Sequence, residues 1–89
     1  MSAKIDLSMF FLSISSAAYM GLGIQVPGYD APPRVDLDLA RQNIDLLELM
    51  SEKTRGNRTP EEDRLLEHLL LETRMRFLEV QRNTAGKKV

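Results

Sequence analysis

The chain has no cysteine, no tryptophan, a single histidine and only 6% aromatic residues. Without cysteine there is no disulfide framework, no thiolate zinc site and no thiol nucleophile. The same absence fits a reducing, cytoplasmic setting. The one histidine is His68, and the Glu-x-x-His motif of carboxylate-bridged metal pairs fails because Leu65 stands three residues before it. His68 therefore reads as a solvated residue, with Glu72 one turn on as its natural neighbour.

An excess of charge of one sign is missing too. Twelve Lys and Arg stand against thirteen Asp and Glu, a formal net charge of -1. Nucleic-acid binding leaves a basic footprint, so no nucleic-acid partner is expected. There is no Gly-rich phosphate loop, no Gly-x-Ser-x-Gly elbow and no Ser-His-Asp set. Gly21-Leu22-Gly23 lacks the strand before it and the helix after it that a dinucleotide loop requires, and reads as a helix stop. The expectation is a protein that is not an enzyme, with no catalytic residue, cofactor or metal.

What is present is an uncharged opening, SMFFLSISSAAYMGLG, inside a run from Leu7 to Val26 without any charge. A membrane helix needs about 20 such residues. The length passes, but four Ser, two Gly, Tyr19 and Gln25 dilute it, and no Lys/Arg cluster or Trp belt flanks it. A signal peptide needs a basic start and an apolar run before its cut site. Here Lys4 is cancelled by Asp6, and Ser13 interrupts the run before Ser16-Ala17-Ala18. Burial against protein is the favoured reading, with a membrane anchor over residues 8–26 as the alternative.

The rest of the chain spells an αα-hairpin. Asp36 is an N-cap for VDLDLARQNIDLLELMSEKTRGN, and Gly56 is its left-handed stop. Leu37, Leu39, Ala40, Ile44, Leu46, Leu47 and Met50 cover nearly half of that helix, enough for two neighbours. Thr59, Pro60 and Glu62 form a capping box with proline at the first helical position. Leu66, Leu69, Leu70, Thr73, Phe77 and Val80 follow at helical period as a core face. Arg76 has two readings: a partner of a carboxylate on the second helix, or of Glu72 one turn before it.

The predicted fold is all-α. A polar lead-in over 1–7 precedes three helices near 8–22, 37–55 and 60–82, with a Pro-rich loop over 23–35 and a frayed tail over 83–89. The first helix is apolar all round, which predicts burial all round. A single short hairpin has too little surface to enclose it. Burying four of its large side chains is worth roughly 6–12 kcal/mol, comparable to the net stability of a whole domain. The expectation is therefore a homo-oligomer, a dimer or dimer of dimers. Phe10, Phe11, Ser13, Ile14, Ala17 and Gly21 stand at its central contact. Leu71, Met75 and Leu78, opposite the core face of the third helix and rimmed by Arg64, Glu67, Arg74 and Arg82, form an outer patch for a second copy or an unidentified protein partner.

The order of these segments resembles the bacterial family known as domain of unknown function 1844. The likeness covers roughly Ser8 to Val80, and its most specific pieces are LARQNIDLL, EKTRGN, TPEE and LETRMRFLEV. The resemblance implies a small, mostly stand-alone bacterial protein that keeps its apolar opening in the mature domain. It implies no activity, cofactor or catalytic residue.

Overall fold

A computed structural model describes residues 5–28 and 34–86. Three helices follow in order: α1 (Leu7–Gly21), α2 (Leu37–Lys53) and α3 (Pro60–Gly86). The fold is all-α, as the periodicity predicts.

Each helix starts where a side chain can take its first free amides. Asp36 Oδ1 accepts from the Leu39 amide at 3.1 Å, and Asp6 does the same for Met9 at 3.3 Å. At α3 the capping box is reciprocal. The Glu62 amide donates to Thr59 Oγ1 at 3.1 Å, and the Thr59 amide donates to Glu62 Oε1 at 2.8 Å. Gly56 follows α2 with φ of +83°, a conformation that costs glycine little. The connection is stapled by Arg58, whose guanidinium donates to Asp63 at 2.7 Å, to the Ser51 carbonyl at 2.8 Å and to Thr54 Oγ1 at 3.1 Å. The third helix continues to Gly86, four residues beyond the predicted 82. Nothing in Asn83-Thr84-Ala85 stops a helix that is already propagating. Residues 87–89 of the predicted tail lie outside the described residues.

The helices run up, down and up. The chain reverses between α1 and α2, and the ends of this connection are pinned together by an antiparallel bridge between Leu22 and Val35 and by the Asp36 amide donating to the Gly21 carbonyl at 2.7 Å. Ile24 and Val26 are half-buried on this loop, while Tyr29, Pro32 and Pro33 lie outside the described residues. Residues 54–59 make the second reversal. Arg74 pairs with Glu48 across it, so α2 and α3 are antiparallel. Contacts between α1 and α3 climb together, from Leu7 with Glu62 to Tyr19 with Glu72, so these two are parallel.

The core lies between the three helices: Phe11 and Ile14 from α1, Leu47 from α2, Leu66 and Leu69 from α3. Ala18, Ala40, Ile44 and Leu22 extend it. Of the predicted α3 face, Leu66, Leu69 and Thr73 are buried, while Leu70, Phe77 and Val80 are half-buried.

The structure bears on two expectations for the opening segment. The chain's own hairpin does cover one side of α1: Phe11, Ile14, Ala18 and Gly21 are buried in it, while Met9, Phe10 and Leu12 stay 44–49% exposed. It can do so because small residues let α1 approach α2. A Cβ added to Gly21 would lie 2.6 Å from the Ala40 amide nitrogen. Nor do residues 8–26 form one anchor. The helix ends at Gly21, and fifteen residues reach about 22 Å against a hydrocarbon core of about 30 Å. Among the described residues no helix is long and apolar enough to cross a membrane.

Candidate interaction surface

Thr73 Oγ1 turns inward and donates to the Leu69 carbonyl at 2.6 Å, so the buried side of α3 satisfies its own polar group. The opposite side is apolar as well. Leu71, Met75 and Leu78 are 61%, 60% and 56% exposed, at spacings of four and three. They line up along about two turns of α3.

The charges around it fall into two groups. Arg64 is 3.9 Å from Glu61, Arg76 is 3.8 Å from Glu79, and Arg74 holds Glu48 of α2 through Nε at 2.9 Å. Glu67 and Arg82, at the two ends of the stripe, are exposed and have no ion-pair partner among the described residues. Neither reading of Arg76 is met, since it leans toward Glu79 and the α1 side. Arg74, two residues earlier and therefore on the other flank, takes the α2 carboxylate instead.

On the α1 flank a shallow cleft of about 500 Å³ is lined by Tyr19, Val26, Leu65, His68, Glu72 and Arg76. The Tyr19 hydroxyl donates to Glu72 Oε1 at 2.5 Å. Burial holds this phenol above its ordinary range. Its hydrogen bond to Glu72 and that carboxylate's charge act in the same direction, and Arg76 opposes them. His68 Nε2 lies 3.6 Å from the same Glu72 oxygen, with the imidazole 67% exposed. The cleft thus carries a neutral phenol hydrogen-bonded to a carboxylate, with an exposed imidazole beside the same oxygen. No three His, Asp or Glu side chains gather to hold a metal among the described residues.

The six residues expected at one central contact are divided by the structure. Phe11, Ile14 and Gly21 are inside the chain's own core and offer no surface. Phe10 and Ser13 are exposed, and Ala17 is half-buried. The physical reason is the helical period: Phe11, Ile14, Ala18 and Leu22 share one face, which turns toward α2 and α3. On α2, Leu46 and Leu49 are also exposed, at 41% and 47%.

Two roles depend on tertiary contacts that sequence spacing does not show. Tyr19 sits in the uncharged run, where its need for a polar partner was the available signal. Glu62 reads from sequence as part of the α3 cap alone, yet its second oxygen accepts the Leu7 amide at 3.1 Å.

The family model described as Domain of unknown function (DUF1844) matches residues 4–79. No curated protein and no solved structure matches the chain.

Proposed function

We propose, for a chain that belongs to the domain of unknown function DUF1844 family, a role as a self-associating helical module. It acts by binding rather than by catalysis, and the outer face of α3 is its contact surface. A cytoplasmic, bacterial setting goes with this reading. The observation that carries it is the unbroken line Leu71, Met75, Leu78 on a helix whose other side is already packed. Single exposed apolar residues are ordinary, but an aligned apolar strip with a charged rim has the anatomy of an interface.

Magnitudes set the strength. Six such side chains in a dimer, each a little over half exposed, bring about 6–10 kcal/mol on burial. Association costs an estimated 4–15 kcal/mol. The α3 contact alone is therefore weak, with a concentration-dependent equilibrium.

Light scattering across a concentration series tests the reading. The wild-type mass is expected to rise from that of the 10.1 kDa chain toward twice it. Met75→Glu, which changes an exposed position, keeps its helicity and stays at the single-chain mass. A wild-type protein that remains a single chain at about 100 µM, or a variant that associates as wild type does, overturns the proposal.

A further inference from the structure

We infer that two copies of the chain pair through α3 in antiparallel orientation, with Met75 at the two-fold axis and Glu67 of each copy facing the partner's Arg82. This rests on the self-association proposed above and fixes its geometry.

The positions come from the helix itself. At about 100° per residue, Leu71, Met75, Leu78, Glu67 and Arg82 fall within roughly 80° of one another. That strip lies nearly opposite the buried Leu66, Leu69 and Thr73, so the body of each bundle stays clear of the other. A two-fold contact is self-complementary: whatever one copy presents at a level, the other must match at the mirrored level. Along the axis Leu71 is four residues before Met75 and Leu78 three after it, so an antiparallel pair sets Leu71 level with the partner's Leu78 to within about 1.5 Å. Glu67 is eight residues before Met75, about 12 Å, and Arg82 seven after it, about 10.5 Å. The same operation therefore brings opposite charges together at both ends of the apolar strip.

The ion-pair pattern within one chain fits this arrangement. Arg64, Arg74 and Arg76 each have a carboxylate in their own chain, whereas Glu67 and Arg82 have none among the described residues. A parallel pair would put Glu67 against Glu67 and Arg82 against Arg82, and like charges at an interface select against that register.

The absence of cysteine makes the test direct. Full-length Leu71→Cys and Leu78→Cys proteins, both changed at exposed positions, are oxidised mildly, separately and as a mixture. Disulfides need Cα atoms within about 7 Å. Leu71 and the partner's Leu71 would be about 12 Å apart along the axis in the antiparallel pair. The expected result is a cross-link in the mixture, between the two variants, and little in either protein alone. Cross-linking of each variant with itself means a parallel pair and overturns the orientation while leaving self-association standing. A wild type that associates while no cross-link forms means that α3 is not the contact, and overturns the register as well. A wild-type mass of one chain overturns both this geometry and the proposed function beneath it.

Discussion

The buried carboxylate of Glu62 accepts the amide of Leu7 at 3.1 Å and the amide of Thr59 at 2.8 Å, one oxygen for each of two helix starts. Leu7 opens α1 and Thr59 caps α3, so the positive ends of two parallel helix dipoles lie side by side. A negative charge placed between them offsets that unfavourable arrangement and satisfies two amides at once. The direction of α1 is therefore tied to a residue fifty-five positions away.

Removing that carboxylate should loosen both ends together. Glu62 is only 6% exposed, so Glu62→Ala leaves two amides short of their partner in a confined space. Charged hydrogen bonds of this kind are worth about 1.5–3 kcal/mol each, with water recovering part. The expected loss is about 2–4 kcal/mol, read as a lower urea midpoint at unchanged slope. Glu62→Gln, which keeps one good acceptor, should fall between. If Glu62→Ala unfolds at the wild-type midpoint, the double cap is not a source of stability.

The α1–α2 approach depends on a missing side chain. A Cβ on Gly21 would meet the Ala40 nitrogen at 2.6 Å and the Asp36 carbonyl oxygen at 2.8 Å, both backbone atoms that cannot swing away. Gly21→Ala gains about 0.8–1 kcal/mol of helix propensity. Overpacking of about 1–3 kcal/mol or more outweighs it, because the two helices must separate and the Asp36–Gly21 hydrogen bond must stretch. Thermal unfolding should show a lower Tm. A raised Tm would mean that the helices stand farther apart than described.

These two residues mark what the sequence discloses and what it withholds. The capping box at Thr59 and Glu62 is legible because its parts are three residues apart. The outer stripe of α3 is legible because two apolar faces on one helix cannot both turn inward. The buried face of α1 is not, since Phe10 and Phe11 are equally apolar and only the tertiary neighbours decide between them. Likewise Arg74 and Arg76 carry the same charge two residues apart. Which one reaches α2 depends on the roll of α3, which hydropathy does not set.

Tyr19 gives the bundle an alkaline limit. Burial first, then the bond to Glu72 and its charge, hold the folded-state phenol above the unfolded value, with Arg76 acting the other way. The neutral phenol is the form that the fold favours. Its contribution is fully present below the unfolded pKa of about 10 and is lost as pH rises through the higher folded value. With Tyr29→Phe leaving one tyrosine, tyrosinate absorbance should appear only above pH of about 10 and together with loss of helical circular dichroism. Tyr19→Phe should cost about 0.5–1.5 kcal/mol at neutral pH and remove this dependence. A Tyr19 that ionises as a free phenol while the helices persist would contradict the hydrogen bond to Glu72.

Charge reversal probes the pairing of α3 without touching its apolar strip. In an antiparallel pair, Glu67→Arg faces the partner's Arg82 twice over, because the two-fold axis repeats the contact. Exposed ion pairs are worth about 0.2–1 kcal/mol each. Replacing two attractions by two repulsions should weaken association by about 1–2 kcal/mol, roughly 5- to 30-fold in Kd. Arg82→Glu should do the same. The double variant restores opposite signs at both ends and should recover most of the affinity, and the difference should shrink in high salt as screening grows. In a parallel pair, each single variant would merely exchange one like-charge contact for another. Both single and double variants would then share one Kd, which analytical ultracentrifugation resolves.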